Sequence, residues 1–390
     1  MRTPAIVTAL GGVLPNTSET TLLRACLLNG EFGLAAWETW SRASGDLKTA
    51  VAEDKDGIKR LAPLLYGNLR ANNATIHASV LPYLRAIFAR EQIRTRTYLR
   101  ICEQVLGVLD EAGVPVIVLR GAAAAITVYD DPALRHCHDL SLLLPPQDMT
   151  RAVDAMCRHG LDVSMDRQPT SSWRDVLLRH ESTLPIELHS RLFEESLYDL
   201  PYDLVQQRAS EARVGDRTVM VLAPTDALLH LTGHASYSPS RRTMRWLCDA
   251  WHILRNTPDL DWELLVDTGQ RAHLALPLAV SLGYMAEELG AHVPRSAQRR
   301  LLDAVDMVDA FERDIALRGA RTTASESGWE RLRRVPGGWQ VRLRVLGWLV
   351  FPSVRYVRES SGAHGGAGAV MHYLLRLTRI ARAGVRAATG

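Results

Sequence analysis

Near residue 110 the hydrophobic period of this chain changes, and the change constrains the fold more than any other feature. From Thr20 to about Gly107, apolar residues recur at spacings of three and four, in LLRACLLNGEFGLAAWETW, GIKRLAPLLYGNLRANN and VLPYLRAIFAREQIRTRTYLRICEQVLGVL. That period predicts an N-terminal helical unit over 1–107. VPVIVL at 114–119 is instead a short β-branched run, the pattern of a buried strand. An Ala-rich helix follows at Gly121, and then a second apolar run, DLSLLL at 139–144. A helix over QDMTRAVDAMCRHG ends at Gly160, where a glycine C-cap belongs. LDVSM and LPIELH read as strands, and RVGDRTVMVLA as a hairpin with Gly215-Asp216 at its turn.

Strands and helices mixed in this way predict an α+β core over 108–223, a mixed sheet with helices. Pro224-Thr225-Asp226 opens a new helical series, with Thr225 or Asp226 as cap, that runs through DALLHLTGHAS, TMRWLCDAWHILRN, WELLVDTGQRAH, LPLAVSLGYMAEELG and SAQRRLLDAVDMVDAFERDIALRGA. The expected organisation is therefore a helical unit over 1–107, the α+β core, a second helical unit over 224–320 and a basic segment over 321–390.

At 390 residues, with 47% hydrophobic and 23% charged side chains, the chain can bury a full core, and two or three packed units are expected. The net charge of +3 demands no nucleic-acid partner, but it is unevenly placed. Residues 331–390 carry eleven Arg and one Glu, a local +10 that leaves the rest of the chain at −7. Within them AVMHYLLRLTRIARAGV forms an amphipathic pattern that suits an acidic partner, anionic lipid or nucleic acid. Docking against the chain's own acidic body is the default, so neither nucleic acid nor a membrane is expected as partner. Lys occurs only at Lys48, Lys55 and Lys59, so a phosphate clamp elsewhere must use Arg or backbone N–H groups. Five widely spaced cysteines without a CxxC pair indicate neither a disulfide framework nor a zinc site. The first twenty residues lack a convincing leader, and no apolar run is long enough to span a bilayer, so a cytoplasmic setting is expected.

The central block carries the candidate chemistry. On the DLSLLL strand Asp139 and Ser141 share one face, with Leu140, Leu142 and Leu144 in the core. Gly121 and Ala122 stand where a strand gives way to a helix N-terminus, whose N–H groups and dipole favour a phosphate, although a glycine there also simply makes a turn. On LPIELH, Glu187 and His189 share a face, as a general base or metal ligand would, or as a salt-bridged surface pair.

The set VIVLRGAAAAITVYDDPALRHCHDLSLLL, LPIELHSRL, LAPTDALLHLTGHAS, RRTMRWLCDAWHIL, DLDWELL, VFPSVRYVRE and HYLLRLTRI resembles, in order, the bacterial uncharacterised nucleotidyltransferase family, a branch of the polymerase-beta-type superfamily. The resemblance implies a nucleotidyltransferase-like core that takes a nucleoside triphosphate and Mg (or Mn) and transfers a nucleotidyl or related group to an unidentified small-molecule or peptide acceptor. A setting in natural-product or cell-surface biosynthesis is its associational hint. By that resemblance Gly121 is the loop glycine, Asp139 the first metal aspartate and Glu187 the third carboxylate, a metal ligand or base. Arg120 stands where the family has Lys, and Arg135 matches an Arg that orients phosphate or the aspartate.

Ser141 departs from the family's D-x-D. A hydroxyl can ligate magnesium, yet the change removes a negative charge and a bridging ligand, which puts two-ion catalysis in doubt. The alternative reading is a catalytically degenerate relative that binds a nucleotide or a partner. Compensation from Asp130, Asp131, His138 or His189 is conceivable, but the aspartates more naturally shape the turn before Pro132. His230 and His234 share a helix face and read as a polar patch toward the core, as helix packing or, last, as a metal pair, with His234 as an accessory candidate. Arg241, Arg242 and Arg245 with Asp249 read as an ion-pair network.

Overall fold

In the computed structural model the described residues are 14–73, 76, 78, 80–163, 175–193, 198–237 and 244–308. The basic segment, its amphipathic pattern, Arg241 and Arg242 lie outside them.

The chain enters through α1 (Thr17–Leu27), which opens on a capping box. The Asn16 side chain accepts from the Glu19 N–H at 3.0 Å, and the Asn16 N–H donates to Glu19 Oε2 at 2.8 Å. After it come α2 (Gly30–Ser44), α3 (Leu47–Ala52), α4 (Ile58–Ala71) and the long α5 (Leu81–Glu111).

Then the sheet segment begins, with β1 (Ile117–Leu119), α6 (Arg120–Thr127), β2 (Leu140–Leu143), α7 (Met149–Arg158), β3 (Asp162–Val163), β4 (Asp175–Arg179), β5 (Pro185–His189), α8 (Tyr202–Arg208), β6 (Ser210–Val214) and β7 (Arg217–Val221). The last helices are α9 (Pro224–Tyr237), α10 (Arg245–Asn256), α11 (Trp262–Arg271), α12 (Ala275–Leu289) and α13 (Arg295–Asp306).

Among the described residues the strands form one seven-stranded sheet in the order β3-β4-β5-β2-β1-β7-β6. β1 is antiparallel to β2 and parallel to β7, while β2 is parallel to β5, so the sheet is mixed as the sequence pattern implied. The Gly215-Asp216 hairpin joins β6 to β7, with Gly215 at φ +58°. Two elements escape the sequence reading. β4 has one strongly apolar stretch and sits near the sheet edge, and α8 is a seven-residue helix too short to show a period.

The sheet's two faces follow from side-chain alternation. Val118, Leu140, Leu142, Ile186 and Leu188 face one apolar core shared with α5, α6 and α7. Ile117, Leu119 and Leu143 join the other core, which also takes in α1, α4, α10 and α12. The helices that precede and follow the sheet in sequence thus share one core. Polar contacts knit them together as well: Thr20 Oγ1 lies 2.8 Å from the Tyr284 hydroxyl, and Arg24 reaches both the backbone and the carboxylate of Glu288 at 2.7 Å. No described helix is long and apolar enough to cross a membrane.

Candidate functional site

The register of the three central strands brings the candidate residues together. Leu119 of β1 pairs with Ser141 of β2, which pairs with Glu187 of β5; one step along, Ile117, Leu143 and His189 form the next row. Ser141, Glu187 and His189 therefore share the sheet face that looks toward the C-terminal helices, and all three are buried.

β1 passes into α6 with no linker, and Arg120 makes the turn at φ +54°. A left-handed conformation costs a side-chain-bearing residue roughly 1–2 kcal/mol. Its return is visible: Arg120 Nη1 donates to Glu187 Oε2 at 3.0 Å and reaches Ser141 Oγ at 3.4 Å. The Arg120 and Glu187 side chains are 19% and 11% exposed, so the ion pair is largely out of water. Arg120 Nε is buried and has no hydrogen-bond partner among the described residues. His189 Nε2 lies 3.4 Å from Glu187 Oε2, and His230 of α9 stands near Arg120 and His189. Burial, with Arg120 and His189 close by, holds the His230 imidazole well below its ordinary value and therefore neutral.

A second network fixes the loop before β2. Asp249 of α10, fully buried, accepts from Arg135 Nε and Nη2, both at 2.7 Å, and from the Tyr129 hydroxyl at 2.8 Å. Arg245 Nη1 donates to the His136 carbonyl at 2.6 Å, Arg94 Nη2 donates to the Cys137 carbonyl, and the Tyr98 hydroxyl donates to the Asp139 carbonyl at 2.9 Å. Burial, helped by Arg135 and Arg60, lowers Arg245 to about 10. Glu91 of α5 is buried too, but His136 and Arg94 outweigh the cost of that burial and hold it below the usual carboxylate range.

These networks reassign several residues. Arg135, expected to orient phosphate or the aspartate, spends its guanidinium on Asp249, and Asp249 pairs with Arg135 rather than with Arg245. Gly121 has a packing reason to be glycine, because a Cβ there would stand 3.1–3.2 Å from the Arg135 guanidinium. Ala122, the next helical residue, is buried in the α5–α7 core. Asp131 caps the turn at Pro132–Leu134 through the Ala133 N–H at 2.9 Å, and Asp226, read as a possible helix cap, is instead bound by Arg208 at 2.9 and 2.5 Å.

Asp139 lies one residue before β2. Its carboxylate, 24% exposed, is 3.3 Å from His138 Nδ1. His138 is kept below its ordinary pKa by burial, against the pull of Asp139 and with Arg245, His136 and Arg60 adding to the drop. His234 stands one turn after His230 on α9, their ring centroids 6.1 Å apart.

The lining of this row is a poor match to a pair of divalent ions, because its central position holds a hydroxyl and the neighbouring carboxylate is ion-paired to a guanidinium. Sequence reasoning found Asp249 as an ion-pair residue beside Arg245 but missed its role, and those of Tyr129, Glu91 and Arg94, as determinants of the Asp139 loop. Local pattern could not have assigned Asp249 to Arg135, which lies more than a hundred residues away in sequence.

The seven-stranded mixed sheet, with a polar row where β1 turns into a helix, makes this an α+β protein. Residues 58–290, more than half of the chain, match the family described as uncharacterised nucleotidyltransferase, and the chain belongs to that family. No curated protein matches it. Among solved structures, a crystal structure of ANT(2")-Ia in complex with adenylyl-2"-tobramycin is similar at 13% identity and a TM-score of 0.34, over 48% of this chain and 99% of that one. A solution structure of the antibiotic-resistance factor ANT(2'')-Ia is similar at 14% identity and a TM-score of 0.33, over 50% of this chain and 97% of that one.

Proposed function

We propose that the protein binds a nucleoside triphosphate at the β1–β2–β5 row, with nucleotidyl transfer curtailed or lost. The observation that carries this reading is the Arg120 guanidinium set against Ser141 and Glu187. A cation at the junction of a strand and a helix N-terminus suits a phosphate, which meets the guanidinium and the first N–H groups of α6 together. Leu119, the α6 N-cap, supplies no side-chain bond to those groups, so a ligand would not compete with one. Against transfer stands the missing carboxylate at position 141. Losing one ion's stabilisation of a transferring phosphoryl group, worth several kcal/mol, lowers the rate by orders of magnitude.

A second reading, transfer to a small-molecule or peptide acceptor, draws support from family membership and from Asp139, whose partly exposed carboxylate stands at the head of β2. One assay separates the two. The purified full chain is incubated with each labelled nucleoside triphosphate and Mg or Mn, and pyrophosphate release and thermal stabilisation are followed. Stabilisation without release supports binding alone. Release that Asp139→Ala abolishes establishes the transferase instead, and no stabilisation by any nucleotide overturns both.

A further inference from the structure

We infer that Arg120 is a built-in cation that does the work of a divalent ion in this site, so that a polyphosphate ligand binds without metal. The ligand class rests on the nucleotide-binding reading above; the metal independence rests on geometry of its own.

Three observations converge on Arg120. Its guanidinium already binds the two side chains that would face an ion from the sheet, Ser141 Oγ at 3.4 Å and Glu187 Oε2 at 3.0 Å. Its backbone holds a left-handed conformation that a glycine would adopt at no cost, and Gly121 stands next in sequence, so the chain keeps a charged side chain at this turn against a conformational penalty. Among the described residues its buried Nε–H has no acceptor, and an incoming phosphate oxygen would satisfy it.

Electrostatics points the same way. In the row of Ser141 and Glu187 the one carboxylate among the described residues is already paired with the guanidinium, so a divalent ion entering there would meet a resident cation and a carboxylate in use. His230, kept neutral across from the sheet, adds no charge of either sign. Asp139 lies two residues before Ser141, about 6–7 Å farther along the strand direction, and its carboxylate neighbours His138.

The test pairs a metal readout with a ligand readout on the full chain. Mn2+ titrations followed by electron paramagnetic resonance should show no site in the wild-type chain, whereas Arg120→Lys combined with Ser141→Asp should create one that Glu187→Gln removes. ATP and inorganic tripolyphosphate should raise the melting temperature equally in EDTA and in Mg2+, and Arg120→Gln should weaken that response by about tenfold or more, the loss expected for a charge-assisted bond. Mn2+ bound by the wild-type chain and lost in Glu187→Gln overturns the inference, as does ATP binding that requires metal. The second result leaves the nucleotide reading standing. If no nucleotide binds in any condition, that reading fails and the Mn2+ titration still decides the metal question. Should Arg120→Gln not fold, the wild-type titrations in EDTA and Mn2+ carry the decision.

Discussion

Replacing Asp249 with Ala should be among the most damaging single changes to the described part of the protein. Asp249 is fully buried and accepts two charged hydrogen bonds from Arg135 and one from the Tyr129 hydroxyl. Removing it strands a guanidinium that is 10% exposed. Breaking one side of a buried ion pair costs about 3–5 kcal/mol, most of it the penalty of the charge left behind. The unpaired Tyr129 hydroxyl adds to that figure by about 1 kcal/mol or more. The logic is sharpened by removing all the partners at once. Tyr129→Phe, Arg135→Met and Asp249→Leu together leave neither partner of the Arg135–Asp249 pair stranded, and Arg245, itself buried, still binds the His136 carbonyl, so the triple variant should be more stable than Asp249→Ala alone. Urea unfolding followed by tryptophan fluorescence reads the difference, Trp251 lying two residues from the substitution. A loss below about 1 kcal/mol for Asp249→Ala, or a triple variant less stable than the single one, would refute the reasoning.

Other consequences are as direct. Gly233→Ala would place a Cβ 2.6 Å from Phe193 and 2.7 Å from Leu274. The overpacking, about 1–3 kcal/mol, should outweigh a helix-propensity gain of about 1 kcal/mol and lower the melting temperature; a rise would show that α9 can shift. Burial depresses the His252 pKa from 6.5 to about 4, so the folded state stays unprotonated while the unfolded state takes up a proton. Stability should therefore fall as pH drops from 6.5 towards 4, by up to about 3 kcal/mol, and His252→Phe should flatten that part of the curve; an unchanged slope would contradict it. Of the five cysteines only Cys157 is exposed, while burial raises the thiols of Cys26, Cys102, Cys137 and Cys248. A thiol reagent should therefore titrate one group rapidly in the native protein and five in urea, and a second fast thiol would contradict the burial.

Much of the scaffold was legible from local pattern. The switch from period three-and-four to β-branched runs located β1, the alternation in DLSLLL and LPIELH assigned Leu140, Leu142 and Leu188 to the core and Ser141, Glu187 and His189 to the opposite face, and Gly-Asp marked the β6–β7 turn. Asp139 was read into the β2 strand, which begins one residue later because the loop before it is pinned at the His136, Cys137 and Asp139 carbonyls.

What sequence alone determined is which residues stand on which face of which strand, since side-chain alternation is a property of the backbone. It also set a hydroxyl, Ser141, rather than a carboxylate beside Asp139 on that face. Tertiary structure decided how those faces are used. Strand order puts Ser141 beside Glu187, and the turn at Arg120 places its guanidinium against both, while α10 delivers Asp249 to Arg135 and turns an expected phosphate ligand into a structural clamp. Such pairings are set by long-range packing and by the cost of leaving a buried charge alone, and neither is written in the spacing of neighbouring residues.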